Sequence, residues 1–403
     1  MISIERYSRL LQAPHLGSAL AASIVGRIPI GMATLSVLLF MQSRVASFAW
    51  AGTVAGLYVF GLAALAPFLG RLIDRFGPRP VIAFCAAAFP CALIVLIVLV
   101  EGAAPRWAIA LAAVLAGAAF PPITICMRAL YPRVVIEPGL LQAAYSLDSA
   151  LIETVFILGP ALVALFVAAG RPEGAIVFAA FCSIVGCATF LRTPAIRQWR
   201  RSGRPGRGSL LGPLVSDSLR AVLSATILYA AAFGMFEVAV SALASARGSP
   251  AAAGVLLALA STGSALGAIV YGSRDWEASA ENQFVLGLIA MASGIALLAP
   301  IGNIYLFGAL AVIACAPMAP VIASQSVLIA RVAPRAMLAE AFTWAATMLL
   351  VGVSAGIAAG GMLVDRTSPM AVCFGAAGAT ALAALIGWNA RRRIDSAAVQ
   401  RQA

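Results

Sequence analysis

The chain contains no lysine: all 27 basic residues are arginine, set against 15 acids and a single histidine, His15. One histidine cannot assemble a His-based metal centre. Lying ahead of the first long apolar run, it also cannot serve a Ser-His relay inside one. The seven cysteines, Cys85, Cys91, Cys126, Cys182, Cys187, Cys315 and Cys373, all fall within apolar runs and form no C-x-x-C pair. They read as small buried hydrophobes and not as a redox or zinc motif. No nucleotide-binding glycine loop is present, so nothing assembles into a recognisable active site. Charge is also scarce: 10% of the 403 residues are charged, where a soluble domain carries about 25%. With 62% hydrophobic residues and a mean hydropathy of +1.00, the chain is an integral membrane protein. Its net charge of +12 has the sign that nucleic acid attracts, but the arginines lie between apolar runs and form no single face, as topology determinants do.

Apolar runs of about 20 residues are long enough to span a bilayer. Twelve are found, near residues 17–41, 47–70, 81–100, 107–128, 141–169, 173–191, 219–243, 250–272, 283–300, 304–329, 337–363 and 369–390, numbered here as spans 1 to 12. The first is long enough to cross and lacks a small-residue cleavage site after it, so no cleavable signal peptide is expected. With both termini inside, 21 arginines fall on cytoplasmic segments and five, Arg44, Arg106, Arg171, Arg247 and Arg366, on outer loops. That asymmetry predicts cytoplasmic termini. The polar interval 192–218 holds six arginines among glycines and prolines. It reads as a flexible linker between an N-terminal six-helix bundle, 1–191, and a C-terminal one, 219–403, with a short cytoplasmic tail. Binding of anionic lipid by these arginines is the alternative.

The halves resemble each other. An offset of 197 carries Ala144-Tyr145 onto Ala341-Phe342 and Gly159 onto Gly356, while Gly31-Met32 corresponds to Gly234-Met235 at a slightly different offset. Such weak internal similarity is what a duplicated transporter fold leaves behind.

Residues 70–82 carry a glycine, leucine, acid, arginine, second glycine and further arginine at fixed spacing: Gly70, Leu72, Asp74, Arg75, Gly77 and Arg79, with Pro78 where a basic residue is usual. The glycines suit a tight reversal and the arginines hold it on the cytoplasmic side. Asp74 is expected to face a cation or the positive end of a neighbouring helix. This pattern resembles the loop signature of the major facilitator superfamily. The wider run of Gly26-Arg27-x-Pro29-x-Gly31-Met32, Phe120-Pro121-Pro122, Asp148, Glu153 and Phe233 to Val238 resembles poorly characterised bacterial members of it. The resemblance implies an all-α membrane fold of twelve helices in two pseudo-symmetric six-helix bundles rocking about a central cavity. In that arrangement spans 2 and 11, and spans 5 and 8, meet across the halves. Gly52 and Gly56, Gly263 and Gly267, and Gly352, Gly356 and Gly360 would then ease sliding of the halves, or simply serve ordinary helix packing.

Ionisable groups inside spans are costly and need a reason. Arg27 lies about 15 Å from the cytoplasmic end of span 1, and Asp148 and Glu153 lie about 10 and 18 Å along span 5. Because the family packs spans 1 and 5 together, Arg27 is expected to face Asp148, Glu153 or both. Five residues turn the two acids about 140° apart, so one should face Arg27 and the other the pathway or a neighbouring helix. A carboxylate that changes partner as the bundles rock would supply proton coupling, and a permanent buried ion pair is the alternative. Glu237 in span 7, which lines the cavity in the family, is a substrate-cation contact or a second titrating site. Glu340 reads as an acid at a helix N-terminus. Arg128, closing span 4, is a candidate partner for Asp74, as an arginine near there is in relatives. Ile157 to Ala161 resembles part of the span-5 motif of drug/proton antiporters, with Ala164 and Ala168 in the region of its further glycines. Phe120, Phe233, Phe236 and Tyr305, with Tyr131 and Trp107 at span ends, suggest a lining suited to an amphipathic substrate.

Together these observations point to a monomeric, proton-coupled exporter of small amphipathic or cationic molecules. It would need no cofactor or metal beyond the proton gradient and have no nucleic-acid partner. A proton symporter or a sugar or metabolite exporter with the same charges is the nearest alternative. A membrane sensor or enzyme is more remote.

Overall fold

Hydrocarbon offers no water to backbone amides, so a crossing segment must satisfy its own N–H and C=O groups, and a helix does. The computed structural model describes residues 4–13, 15–45, 48–135, 137–199, 212–247 and 252–399. Twelve helices in it are long and apolar enough to cross a membrane. The spans are Leu16–Arg44, Phe48–Phe76, Pro78–Glu101, Arg106–Ala118 continued by Ile123–Val134, Pro138–Ala168, Pro172–Arg192, Asp217–Ala246, Ala252–Gly272, Ala280–Leu298, Ile304–Ala314 continued by Met318–Val332, Leu338–Arg366 and Pro369–Val399. Of the basic interval, Arg200, Arg201, Arg204 and Arg207 with their neighbouring glycines lie outside the described residues.

Three features depart from the sequence expectation. A short amphipathic helix, Ile4–Gln12, precedes span 1, its Leu10 fully buried. Spans 4 and 10 are each broken near their middle, at residues 119–122 and 315–317. These breaks stand 195–196 residues apart, within two residues of the offset of the internal repeat, so they belong to it. Residues 70–82 form no open loop. Span 2 stays helical to Phe76 and span 3 starts at Pro78, leaving Gly77 alone to reverse the chain at a φ of 84°. Gly70 is a packing residue instead: a Cβ there would come within 2.5 Å of the Thr343 hydroxyl of span 11.

Repeat-related glycines mark close helix contacts within each half. A Cβ on Gly159 would lie 2.5 Å from the Gly31 carbonyl carbon, pressing span 5 on span 1. In the second half a Cβ on Gly234 would lie 3.1 Å from the equivalent atom of Gly356, pressing span 7 on span 11. The repeat partners Tyr145 and Phe342 meet each other across the halves, ring centroids 6.0 Å apart.

Most of the spaced glycines do not serve the junction between halves. Gly263 and Gly267 of span 8 face Val312 and Ala316 of span 10, and Gly352 and Gly356 of span 11 face Ile227 and Ala231 of span 7. All four contacts lie inside the C-terminal half. Among the described residues, Gly52 and Gly56 of span 2 meet nothing within 4 Å. Small residues permit close backbone approach wherever two helices compete for space, and that need is greatest within a bundle. Gly356→Ala would set a methyl group 2.0 Å from the Ala231 carbonyl oxygen. It should lower the thermal unfolding midpoint of the detergent-purified protein by several degrees, overpacking costing about 1–3 kcal/mol. Gly56→Ala should leave the midpoint where it is.

Candidate functional site

Close approach of spans 1 and 5 at Gly31 and Gly159 brings Arg27, one turn below Gly31, against Asp148. The Arg27 guanidinium lies 2.6 Å from Asp148 Oδ1, both side chains wholly buried. The same carboxylate is held twice more. The Tyr131 hydroxyl donates to Oδ1 at 2.9 Å, and Arg128 Nε donates to Oδ2 at 2.9 Å. Tyr145 then ties the Arg128 carbonyl with a hydrogen bond of 3.0 Å. One buried acid thus joins spans 1, 4 and 5 of a single half. Its two arginines leave the cluster with one excess positive charge, and Arg27 Nε and Nη1 are buried without a hydrogen-bond partner.

Glu153 points elsewhere, as the angle between the two acids requires. Its Oε1 accepts a 2.8 Å hydrogen bond from Ser264 of span 8, in the other half, with Ser261 beside it. Glu237 is exposed, and among the described residues its carboxylate has no hydrogen bond or ion pair. It lies on span 7 between the face packed on span 11 and the face bearing Phe233 and Tyr229. A bare carboxylate toward lipid is costly, which sets Glu237 apart from the apolar positions of span 7. Tyr229 is bonded to Gln325 of span 10, and Gln325 Nε2 donates to Thr226 at 2.7 Å.

The halves are joined at the face that carries the N-terminus. Asp74 accepts from the backbone N–H groups of Ala339 and Glu340, at 3.1 and 2.8 Å, and so caps the first turn of span 11. Of the two partners open to Asp74 in the sequence, the helix end takes it, where positive partial charge and unpaired donors favour a carboxylate. Glu340, in that first turn, pairs with Arg71 of span 2 at 2.6 Å. Arg128 does not face Asp74, because Asp148 has taken it. Arg133, further along span 4, is the arginine near Asp74. Higher up, the Thr347 hydroxyl donates to the Ala63 carbonyl at 3.0 Å. Arg75 and Arg79 are exposed, Arg75 lying over the Phe76 ring, and Leu72 is exposed too.

The helix Ile4–Gln12, unanticipated from the sequence, latches the same face. Arg6 pairs with Asp275 after span 8 at 2.5 Å, and Arg9 with Glu137 before span 5 at 2.8 Å. Tyr7 donates to the Ile269 carbonyl at 2.8 Å. Burial, opposed by the neighbouring Arg6 charge, pushes the Tyr7 hydroxyl up to about 12, so it remains a donor throughout the physiological range. A cavity of about 600 Å³ lies beneath this helix, lined by three arginines and three acids with Ser273.

Two of the six aromatic residues singled out in the sequence turn out to be packing. Phe120 sits edge-on to Phe89, and Phe236 stacks on Phe307. Tyr305 and Trp107 are exposed at span ends, and Tyr131 belongs to the ion cluster. Phe233, against Tyr229, is the one beside Glu237.

The sequence pattern of the family described as Major Facilitator Superfamily matches residues 19–273. The chain belongs to this superfamily. Its members are transporters and not enzymes. Among solved structures, a bacterial homologue of the iron transporter ferroportin in an outward-facing state is similar over 94% of this chain and 99% of its own, at 14% identity and a TM-score of 0.77. The proton:xylose symporter XylE, bound to a bromodeoxyglucose, is similar over 93% and 95%, at 14% identity and a TM-score of 0.70. The E. coli fucose:proton symporter FucP is similar over 93% and 98%, at 11% identity and a TM-score of 0.71. At these identities the likeness is one of fold. Comparison with curated proteins yields no match.

Removing the shared acid strands the buried Arg27 and the half-buried Arg128. Asp148→Asn should cost about 3–5 kcal/mol, read as loss of the monodisperse peak on size exclusion, whereas Glu153→Gln, facing hydroxyls only, should elute like wild type. Asp74→Asn combined with Glu340→Gln should lengthen the spin-label distances between the halves at the N-terminal face.

Proposed function

We propose that this superfamily member couples proton movement to the export of small amphipathic or cationic molecules by alternating access. The observation that carries the proposal is the Glu153–Ser264 hydrogen bond, which crosses from one half to the other deep in the membrane. Rocking of the halves would break that bond and re-expose the acid. A carboxylate whose burial and hydrogen bonding both change must change its proton affinity. Asp148 is a poorer candidate, because its three partners belong to its own half and would travel with it. It acts as a fixed structural charge.

Glu237, unpaired and beside Phe233, suits a cation attached to an apolar body, the acid meeting the charge and the ring the hydrocarbon. Such a site favours this substrate class over a heavily hydroxylated sugar. The names of XylE and FucP, both proton symporters, motivate symport as the second reading, with the same acid moving the proton. The excess of arginine on the terminal face supports a cytoplasmic location for it and residence in the bacterial inner membrane. On that reading the halves are closed on the cytoplasmic side, the state that the ferroportin homologue's description calls outward-facing. The transporter works as a monomer driven by the proton gradient alone.

The test uses inside-out vesicles with an imposed pH gradient and a panel of lipophilic cations, sugars and amino acids. Wild type should dissipate the gradient on addition of a lipophilic cation, and Glu153→Gln, at matched expression, should lose more than nine-tenths of that response. Glu237→Gln should weaken the apparent affinity for the cation about tenfold or more, as loss of one charge-assisted contact implies. With the vesicle interior acid, symport of an added sugar would carry protons inward and deepen the gradient, and that response would favour the second reading. A normal response in Glu153→Gln would end the assignment of that acid.

A further inference from the structure

We infer that Ser264 is the positioning residue that sets the proton affinity of Glu153, and that the break in span 10 is the hinge acting on it. This rests on the reading of Glu153 as the coupling acid. Span 10 stops at Ala314 and restarts at Met318, so the first N–H groups of the restarted helix have no acceptor within it. One of them, that of Ala319, donates to Ser264 Oγ at 3.0 Å. Because this oxygen accepts from Ala319, its own proton is free to point the other way, and it does so, donating to Glu153 Oε1 at 2.8 Å. The result is a buried chain from half-helix N–H through hydroxyl to carboxylate, in which each donor polarises the next. It also leads the positive end of the restarted helix toward the acid.

The hinge and the serine are mechanically joined. Gly263 and Gly267 flank Ser264, and Cβ atoms at those positions would come within 2.0 Å of the Val312 oxygen and 1.9 Å of the Ala316 oxygen. Span 8 is therefore pressed directly on the break, and a change of angle there must displace Ser264. Other charged groups are engaged elsewhere. From span 1, Arg27 is paired with Asp148, as is Arg128 from span 4. Arg331 of span 10 lies near Glu281, Tyr271 of span 8 is bonded to Gln283, and Glu173 of span 6 lies near Arg44 at the far face. Cys315, in the break itself, is a titratable neighbour of Glu153. Ser264 and Ser261 are thus the groups that can stabilise the Glu153 charge, and of the two Ser264 is coupled to the hinge.

The experiment reads protonation without needing a substrate. The full chain is reconstituted in liposomes and its protonated-carboxyl infrared band is followed through a pH titration, with Glu153→Gln identifying the Glu153 contribution. Ser264→Ala removes a donor to the ionised form, so the Glu153 midpoint should rise by about one to two pH units. Ser264→Thr, which keeps the hydroxyl, should restore the wild-type midpoint. All variants are first checked for monodisperse elution. An unchanged midpoint in Ser264→Ala, or an equal displacement in Ser264→Thr, overturns the role of Ser264 while leaving Glu153 as the coupling acid. If Glu153→Gln removes no titrating band, the coupling reading itself fails, and this inference with it.

Discussion

A charge in hydrocarbon is tolerable only beside its counter-charge, and in this protein that condition falls on one carboxylate. Asp148 meets Arg27, Arg128 and the Tyr131 hydroxyl. Satisfying both arginines fixes the register of spans 1, 4 and 5 against one another. Glycine contact between Gly31 and Gly159 brings the backbones close enough for this to happen. Apolar packing alone would allow helices to slide by fractions of a turn, whereas a buried ion pair does not, because each ångström of separation weakens the attraction while the desolvation cost remains. The N-terminal half can therefore be expected to move as a unit.

Against that rigid cluster, the contacts between halves are of a different kind. Asp74 on a helix end, Arg71 with Glu340, and Thr347 on a carbonyl are individually modest bonds between groups that can regain partners elsewhere. The helix Ile4–Gln12 adds more of the same type from outside the bundle. Strong bonding within a half and exchangeable bonding between halves is what a rocking transporter requires. Glu153 belongs to the exchangeable set although it sits deep in the membrane and five residues from Asp148.

Duplication supplies the helix breaks. Both halves break the fourth of their six helices at equivalent places, and both press glycine on glycine one turn from a functional candidate. The second half has used its break differently. Where the first half surrounds Asp148 with arginines, the second offers hydroxyls and an amide, Ser264, Thr226 and Gln325. The charge asymmetry between the duplicated halves leaves Glu153, at their junction, facing hydroxyls where Asp148 faces arginines.

The number of spans, their approximate limits, the orientation signal and the internal repeat are determined by the sequence alone, because each follows from where apolar runs and arginines fall along the chain. Local chemistry was legible too: the angle between Asp148 and Glu153 is a property of any helix, and it correctly required them to have different partners. Sequence could not decide which arginine meets which acid. Arg128 and Arg133 lie on the same span only five residues apart, and helix rotation, settled by packing against spans 1 and 5, gave the first to Asp148 and left the second near Asp74. Nor could it say that Gly263 and Gly267 serve span 10 and not span 5, since a small residue advertises a close neighbour without naming it. Ser264 was invisible for the same reason. A serine between two glycines is unremarkable along the chain, and becomes a link to Glu153 only when a broken helix on one side and an acid from the other half on the other are folded onto it.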